Sequence, residues 1–299
     1  MERYGDAAHC ANFRPAACIF GGEEYWNVMT DTLRDSPTPP DDLSALVEAA
    51  ETAGRAAARF FRPGGKTTAR IRWKGNNSPV TEGDLAADAA AKEVLRRRFP
   101  GVPVLSEEDA GPIRLGDRRA LIIDPVDGTR AFMTGRSEWC VSLALMEGGR
   151  PLAGVIAAPA RRQTFAAWRG RGAFLNGERL ARRPEATGGP LSVSGPNRLV
   201  DTLLEHWPPI RDGETLKALA YRLASVALGA HDVALATIGA NHWDIAAADV
   251  ILGETGCVLR SLAGAQPVYN DADPLHPALI AAEADLCARL IAAVARKPG

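Results

Sequence analysis

The stretch Ile122-Ile123-Asp124-Pro125-Val126-Asp127-Gly128-Thr129 decides how the rest of the chain is read. It joins a short apolar run, Ala120 to Ile123, of buried-strand length to two carboxylates and a Gly-Thr turn. Two acids at that spacing would usually mark a helix surface. Here Pro125 and Gly128 are expected to break regular structure, which places the acids at a strand end. Hard cations find the oxygen ligands they prefer in such a place. A helix starting after Gly128 would offer free N–H groups to a phosphate. Taken alone, the same residues also suit a turn or a helix cap.

Two other acidic element ends accompany it. Ser106-Glu107-Glu108-Asp109 follows the strand-like Val102 to Leu105, and Trp243-Asp244-Ile245-Ala246-Ala247 puts an acid at the start of a strongly apolar helix. A lone Asp in that position commonly serves only as an N-cap. Three acidic strand or helix ends in one α/β chain point instead toward a shared cation site.

Around these lie the remaining elements. Helical spacing runs from Leu43 to Phe61, stopped by Pro63-Gly64-Gly65, and a second helix follows Thr81 and Asp84 to about Phe99. Ile71 and Trp73 suggest a strand. Strands fit Trp139 to Met146 and Leu152 to Ala158, with a hairpin at Phe165 to Trp168 and Ala173 to Leu175. After Gly188-Gly189-Pro190 strands and helices alternate: a strand from Leu191, a helix over Thr215 to Leu228, a strand from Val233, a helix opened by Asp244, strands at Val258 and Leu279, and a closing helix from Asp285 to Ala295. Strands first and alternation later predict an antiparallel α+β half, residues 29–187, and a smaller α/β half, residues 188–299. Residues 1–28 lack periodicity and read as a leader outside the core, with Met29 expected as a natural start.

Composition narrows the function. Hydrophobic residues make up 46% of the 299, charged residues 24%, and the net charge is -1. That balance argues against binding a nucleic-acid polymer, yet permits an acidic substrate wherever a bound cation supplies positive charge. The five widely spaced cysteines contain no C-x-x-C pair and read as free thiols in a reducing, cytoplasmic setting. No run approaches the ~20 apolar residues of a membrane span. Cys140 reads as a buried thiol, and His206, His231, His242 and His276 as structural, since none shows zinc-ligand spacing.

The Glu-Glu pair, the Asp-Pro-Val-Asp-Gly-Thr block and the Trp-Asp-x-Ala-Ala block, with Asn77-Ser78-Pro79-Val80-Thr81-Glu82-Gly83-Asp84 upstream, resemble the inositol monophosphatase superfamily. The similarity runs from about Leu43 to the last helix. It implies a layered αβαβα sugar-phosphatase fold, a homodimer, and a Mg²⁺-dependent phosphomonoesterase that holds two or three ions and is inhibited by Li⁺. By the same resemblance Glu107, Asp124 and the Val126 carbonyl hold one ion, and Asp124, Asp127 and Asp244 a second. A third uses Glu107 and water. Thr129, supported by Asp84, orients the attacking water, and Asp127 with the N–H groups of Gly128 and Thr129 meets the substrate phosphate. Lys74 and Thr81 fall at family positions near the site.

Within the superfamily the segments Gly75 to Thr81 and Gly128 to Phe132 look most like bacterial 3'(2'),5'-bisphosphate nucleotidases acting on 3'-phosphoadenosine 5'-phosphate. Arg222 stands where those enzymes often carry a Lys, and it could grip a phosphate bidentately. A surface helix cation is the alternative for Arg222. Inositol-1-phosphate and histidinol phosphate stand as alternative substrates, and a phosphate-binding protein without turnover as the alternative to an enzyme. The absence of a G-x-G-x-x-G turn after the first predicted strand argues against a Rossmann module.

Overall fold

The computed structural model describes residues 40–75, 78–109, 118–184, 189–206, 210–212, 216–269 and 274–295. The leader, the Met29 start and the boundary expected at residue 188 lie outside them.

Helix α1 (Asp41–Ala58) buries Leu43, Leu46, Val47, Ala50 and Ala57 on one face, the stripe that a 3.6-residue period lays down. A hairpin of β1 (Ile71–Trp73) and β2 (Pro79–Thr81) leads into α2 (Glu82–Arg98). Thr81 caps α2: its hydroxyl accepts from the Gly83 and Asp84 N–H groups, and the Asp84 carboxylate reaches back to the Thr81 N–H. This is a capping box with Asp in place of Glu.

Strand β3 (Val104–Ser106) pairs parallel with β4 (Ala120–Asp127), and a short helix α3 (Thr129–Met133) follows. The sheet continues antiparallel through β5 (Cys140–Glu147), β6 (Arg150–Ala158), β7 (Gln163–Trp168), β8 (Gly172–Leu175) and β9 (Glu178–Arg179), in chain order. Its central strands are buried on both faces because both are covered. Leu121, Ile123, Val141, Leu143 and Leu145 pack under α1 and α2. The intervening Ile122, Cys140 and Ala144 point the other way, as the two-residue period requires.

The second half begins with β10 (Leu191–Ser194), α4 (Asn197–His206) and β11 (Ile210–Asp212). Then come α5 (Leu219–Leu228), β12 (Val233–Ala236), β13 (Ala240–Asn241) and α6 (His242–Glu254). β14 (Cys257–Ser261), β15 (Leu275–His276), β16 (Leu279–Glu283) and α7 (Ala284–Ala295) complete it. Its main sheet has the order β11-β10-β12-β16-β14, with the first three parallel and β16 antiparallel to both neighbours.

Helices α5 and α6 are sandwiched between the two sheets, and α4 and α7 cover the outer face of the second. The layers therefore run αβαβα, as expected. Helix α6 is apolar nearly all round, with Ile245, Ala246, Ala247, Ala248, Ile251 and Leu252 buried, because it meets a sheet on each side. Small residues let it lie close: a Cβ at Gly154 in β6 would stand 2.4 Å from the Ala247 carbonyl oxygen. The middle core draws on both halves of the chain, joining Ile122 and Ile156 to Ala234 and Leu259.

Three expectations are corrected. β4 does not break at Pro125 but runs on to Asp127. The helix placed over Thr215 to Leu228 begins at Leu219. Asp244 does not open its helix; Asn241 is the N-cap and Asp244 sits at the third helical position. α4, β11 and the β13–β15 pair were not expected at all.

Candidate active site

Pro125 is tolerated in β4 because the strand bulges there. Asp124 faces Ser142 and Asp127 faces Cys140, so β4 carries one residue more than β5 over that interval. β3 pairs with β4 only as far as Ile123, so no ladder bond is asked of position 125 from either side. The bulge re-aims Asp124 and Asp127, both nearly buried at 2% and 8% exposure. Gly128 then turns the chain at φ 85°, ψ 35° into α3. A side chain there would be strained by that φ, and its Cβ would meet the Ala218 Cβ and the Glu138 carbonyl oxygen at 3.0 Å.

Beneath α3 the rings of Phe61, Phe132 and Trp139 pack with centroids 5.0 to 5.7 Å apart. Each such pair adds roughly 0.5–1.5 kcal/mol beyond its buried area, which fixes α3 against the sheet. Thr129, the first residue of α3, is held in turn: its Oγ1 lies 3.1 Å from Asp84 Oδ1 and 3.1 Å from the Val126 carbonyl oxygen. A hydroxyl has one proton, so it donates to one of these at a time.

The remaining acids arrive from three directions. Glu107 follows β3, and its N–H donates to the Ile123 carbonyl at 3.1 Å, fastening the Glu-Glu turn to β4. The Ser106 hydroxyl donates to Asp88 Oδ1 at 2.6 Å and accepts from the Glu108 N–H. Lys74, beyond β1, places Nζ 3.3 Å from Glu107 and 3.0 Å from Glu108. Asp244 comes on α6, whose start is pinned to β5 where the Ser142 hydroxyl donates to the Trp243 carbonyl at 2.9 Å. Asp127 holds the first turn of α5, accepting from the Leu219 N–H at 3.0 Å and the Ala220 N–H at 2.6 Å.

The charges oppose one another. Burial, followed by the charges of Glu107, Asp127, Asp244 and Asp84, pushes the Asp124 carboxyl well up from its ordinary value. Burial raises Asp127 to about 6 against the pull of the Ala220 and Leu219 N–H groups and of Arg222. Burial and the Asp127 charge raise Asp244 to about 8. Burial raises Asp84 to about 6, with Thr81 pulling it back down and Glu108 and Glu107 pushing it up. Among the described residues the positive charges at this cluster are Lys74 at one rim and Arg222 behind Asp127. Among the described residues no three His, Cys, Asp or Glu side chains converge closely enough to enclose an ion as they stand. The donor set nevertheless fits a hard divalent cation: four carboxylates and a carbonyl, all oxygen, with Asp124, Asp127 and Val126 buried and Glu107 and Asp244 half-buried.

Arg222 lies behind Asp127, with its side chain on backbone carbonyls. It is 8% exposed, and its guanidinium donates to the carbonyls of Leu216 (2.9 Å), Leu235 (2.7 Å) and Lys217 (3.5 Å). The alternative of a surface cation falls. It is a buried clamp that sets the start of α5, and through it the N–H groups that reach Asp127. Cys140 is buried with Sγ 3.8 Å from Asp127 Oδ2, and burial beside Asp127 and Asp124 pushes its thiol well up, away from the thiolate a nucleophile needs. His231 pairs with Ser225, and His242 with His276, each at 2.8 Å.

A bulged strand presents acids between two sheets, with a Thr–Asp pair beside them. The profile of the inositol monophosphatase family matches residues 41–297. The chain is 35% identical over 243 residues to a histidinol-phosphatase of Mycobacterium tuberculosis, covering 75% of this chain and 88% of that one. It is 30% identical over 249 residues to an inositol-1-monophosphatase of Mesorhizobium japonicum, covering 77% and 88%. The crystal structure of the extragenic suppressor protein suhB from Bartonella henselae superposes with a TM-score of 0.76 at 25% identity, covering 87% of this chain and all of that one. The chain belongs to the inositol monophosphatase family and is a phosphoric monoester hydrolase. Among the described residues no helix is long and apolar enough to cross a membrane.

Proposed function

We propose that the chain is a Mg²⁺-dependent phosphomonoesterase acting on a small polyol or amino-alcohol monophosphate. The observation that carries this is the acid cluster of Glu107, Asp124, Asp127 and Asp244, two of them buried, with the Thr129–Asp84 pair beside it. Glu107, Asp124, Asp127, Asp244 and the Val126 carbonyl would hold the metal. When bound, Mg²⁺ supplies positive charge against a phosphate dianion and acidifies the attacking water.

The chain's own residues do the rest. The Thr129 hydroxyl orients the water, accepting its proton while passing its own to Asp84 Oδ1, 3.1 Å away. Asp84, raised to about 6, is close enough to neutral pH to accept and return that proton. The N–H groups of Gly128 and Thr129, at the turn into α3, face the phosphate oxygens.

Arg222 bears on the substrate. Buried, with three of its five N–H donors on backbone carbonyls, it has less to offer a second phosphate, which favours a monophosphate over a bisphosphonucleotide. The similarity to a histidinol-phosphatase and an inositol-1-monophosphatase points the same way.

The test is phosphate release at fixed Mg²⁺ from inositol 1-phosphate, histidinol phosphate, fructose 1,6-bisphosphate and 3'-phosphoadenosine 5'-phosphate. One of the two monophosphates should lead. Preference for a bisphosphate overturns the substrate class, and no turnover of any of the four overturns the enzyme. Asp244→Asn should lower turnover on the order of 10²–10³-fold, the scale of losing one electrostatic group in a site, with far-UV circular dichroism unchanged; full activity would refute the metal assignment.

A further inference from the structure

A cavity of about 300 Å³ lies at the end of α6 away from Asp244. Asp244 stands in the first turn of that helix and Gly253, a cavity residue, near its end. Nine residues at about 1.5 Å each put roughly 14 Å of helix between them. The walls are the start of β6, the end of β7, β14, and the loop carrying Gln266 and Tyr269.

Three arginines line this space: Arg150, Arg169 and Arg260. Among the described residues none of them has a carboxylate within ion-pair distance, whereas Arg119 and Arg183 both do. Arg169 donates once, to the Pro151 carbonyl, and Arg260 once, to the Leu259 carbonyl at 2.7 Å. A guanidinium carries five N–H donors, so most of theirs are uncommitted to protein. The two acids on the walls are already engaged. Glu254 accepts from the Gly170 and Gly172 N–H groups at 2.6 and 2.7 Å. Asp249 accepts from the Tyr269 hydroxyl at 2.9 Å, and burial pushes its carboxyl up against the pull of that hydroxyl and of the Arg260 and Arg169 charges beyond ion-pair distance. Among the described residues three cations against two acids leave the lining one charge positive, with Tyr269 and Gln266 also on the walls.

We propose that this cavity binds a small soluble phosphorylated molecule, its phosphate seated between Arg150, Arg169 and Arg260. A phosphate dianion matches the planar fork of arginine, and the volume, at the lower end for ligand pockets, exceeds what inorganic phosphate alone would fill. The site is separate from the acid cluster, which repels anions when metal is absent.

That difference supplies the test. The full-length chain is titrated calorimetrically with glycerol 3-phosphate in EDTA, where the acid cluster is unfavourable to an anion. Saturable binding of one equivalent is expected. It should weaken at least 10-fold in Arg150→Ala/Arg260→Ala, and persist in Asp244→Asn. Arg150→Ala alone, which removes an exposed rim charge and no backbone bond, should weaken binding measurably even if the double variant proves unstable. No saturable binding in EDTA, or binding unchanged in Arg150→Ala, overturns the site. Failure here is distinct from failure of the phosphatase reading, which would show as absent turnover with Mg²⁺.

Discussion

Replacing Glu51 by Gln should make the protein more stable at pH 8 and leave it nearly unchanged at pH 4. Glu51 lies in α1, 3% exposed against the first sheet. Its Oε1 accepts from the Thr164 hydroxyl at a long 3.5 Å, and Arg55 stands 4.0 Å away. Burial outweighs both and raises the carboxyl from 4.5 to about 7. The folded state thus binds the proton more tightly than the unfolded one. The stabilisation is complete below the unfolded pKa of 4.5 and lost as pH rises through the folded value of about 7. A gap of about 2.5 units at 1.36 kcal/mol each comes to about 3 kcal/mol. Gln keeps the shape and the acceptor for Thr164 without a charge to bury. Thermal unfolding of both proteins across pH 4 to 9 isolates this group, since all other titrations cancel in the difference. The variant's advantage should grow to roughly 6–12 °C above pH 8, at 2–4 °C per kcal/mol for a chain of this size. Parallel curves would refute the reasoning.

The remaining predictions concern how the acids are held. Gly154→Ala puts a Cβ 2.4 Å from the Ala247 carbonyl oxygen; it should cost about 1–3 kcal/mol as overpacking, read by denaturant unfolding, and lower Mg²⁺ affinity by displacing the helix that carries Asp244. Arg222→Lys leaves buried carbonyls short of donors and should cost about 1–3 kcal/mol with KM for the preferred substrate unchanged. A raised KM at unchanged stability would return Arg222 to the substrate. Thr81→Ala removes the cap of α2 and should cost about 1 kcal/mol; it also leaves Asp84 Oδ2 with the Thr81 N–H alone, losing the 2.5 Å bond from the hydroxyl, so kcat should fall while KM holds.

What was legible in the sequence was local. The acids could be found because each sits beside a strand or helix end that its neighbours announce: Ala120 to Ile123 before Asp124, the apolar run after Asp244. Strands preceding alternation suggested the two halves, and the layer order came from the family resemblance. What escaped depended on pairing at a distance. Pro125 reads as a breaker until β5 is seen to skip a position opposite it. Asp127 reads as a turn former because its partners, the Leu219 and Ala220 N–H groups, lie more than ninety residues on. Arg222 shows as a cation on a helix, but nothing local reveals that the Leu235 carbonyl stands open to receive it. The capping roles of Asp84 and Asp244 had a readable signal, three residues after Thr81 and after Asn241.

Those two acids belong to a common arrangement that explains how so many like charges are buried together. Asp84 accepts from the Thr81 N–H, Asp124 from the Val126 N–H, Asp127 from Leu219 and Ala220, and Asp244 from Asn241. Each carboxylate is oriented by a backbone amide before any metal arrives, and each amide returns part of the charge that burial removes. Asn and Ala must then act differently at position 244. Asn keeps an oxygen for the Asn241 N–H, 2.7 Å away, and sheds the charge that Asp127 and Glu107 oppose. Ala sheds both. In EDTA, Asp244→Asn should therefore unfold at a higher temperature than wild type, and above Asp244→Ala by the worth of one hydrogen bond, about 1 kcal/mol. If Asn proves no better than Ala, the amide does not hold the carboxylate, and the metal must organise the site alone.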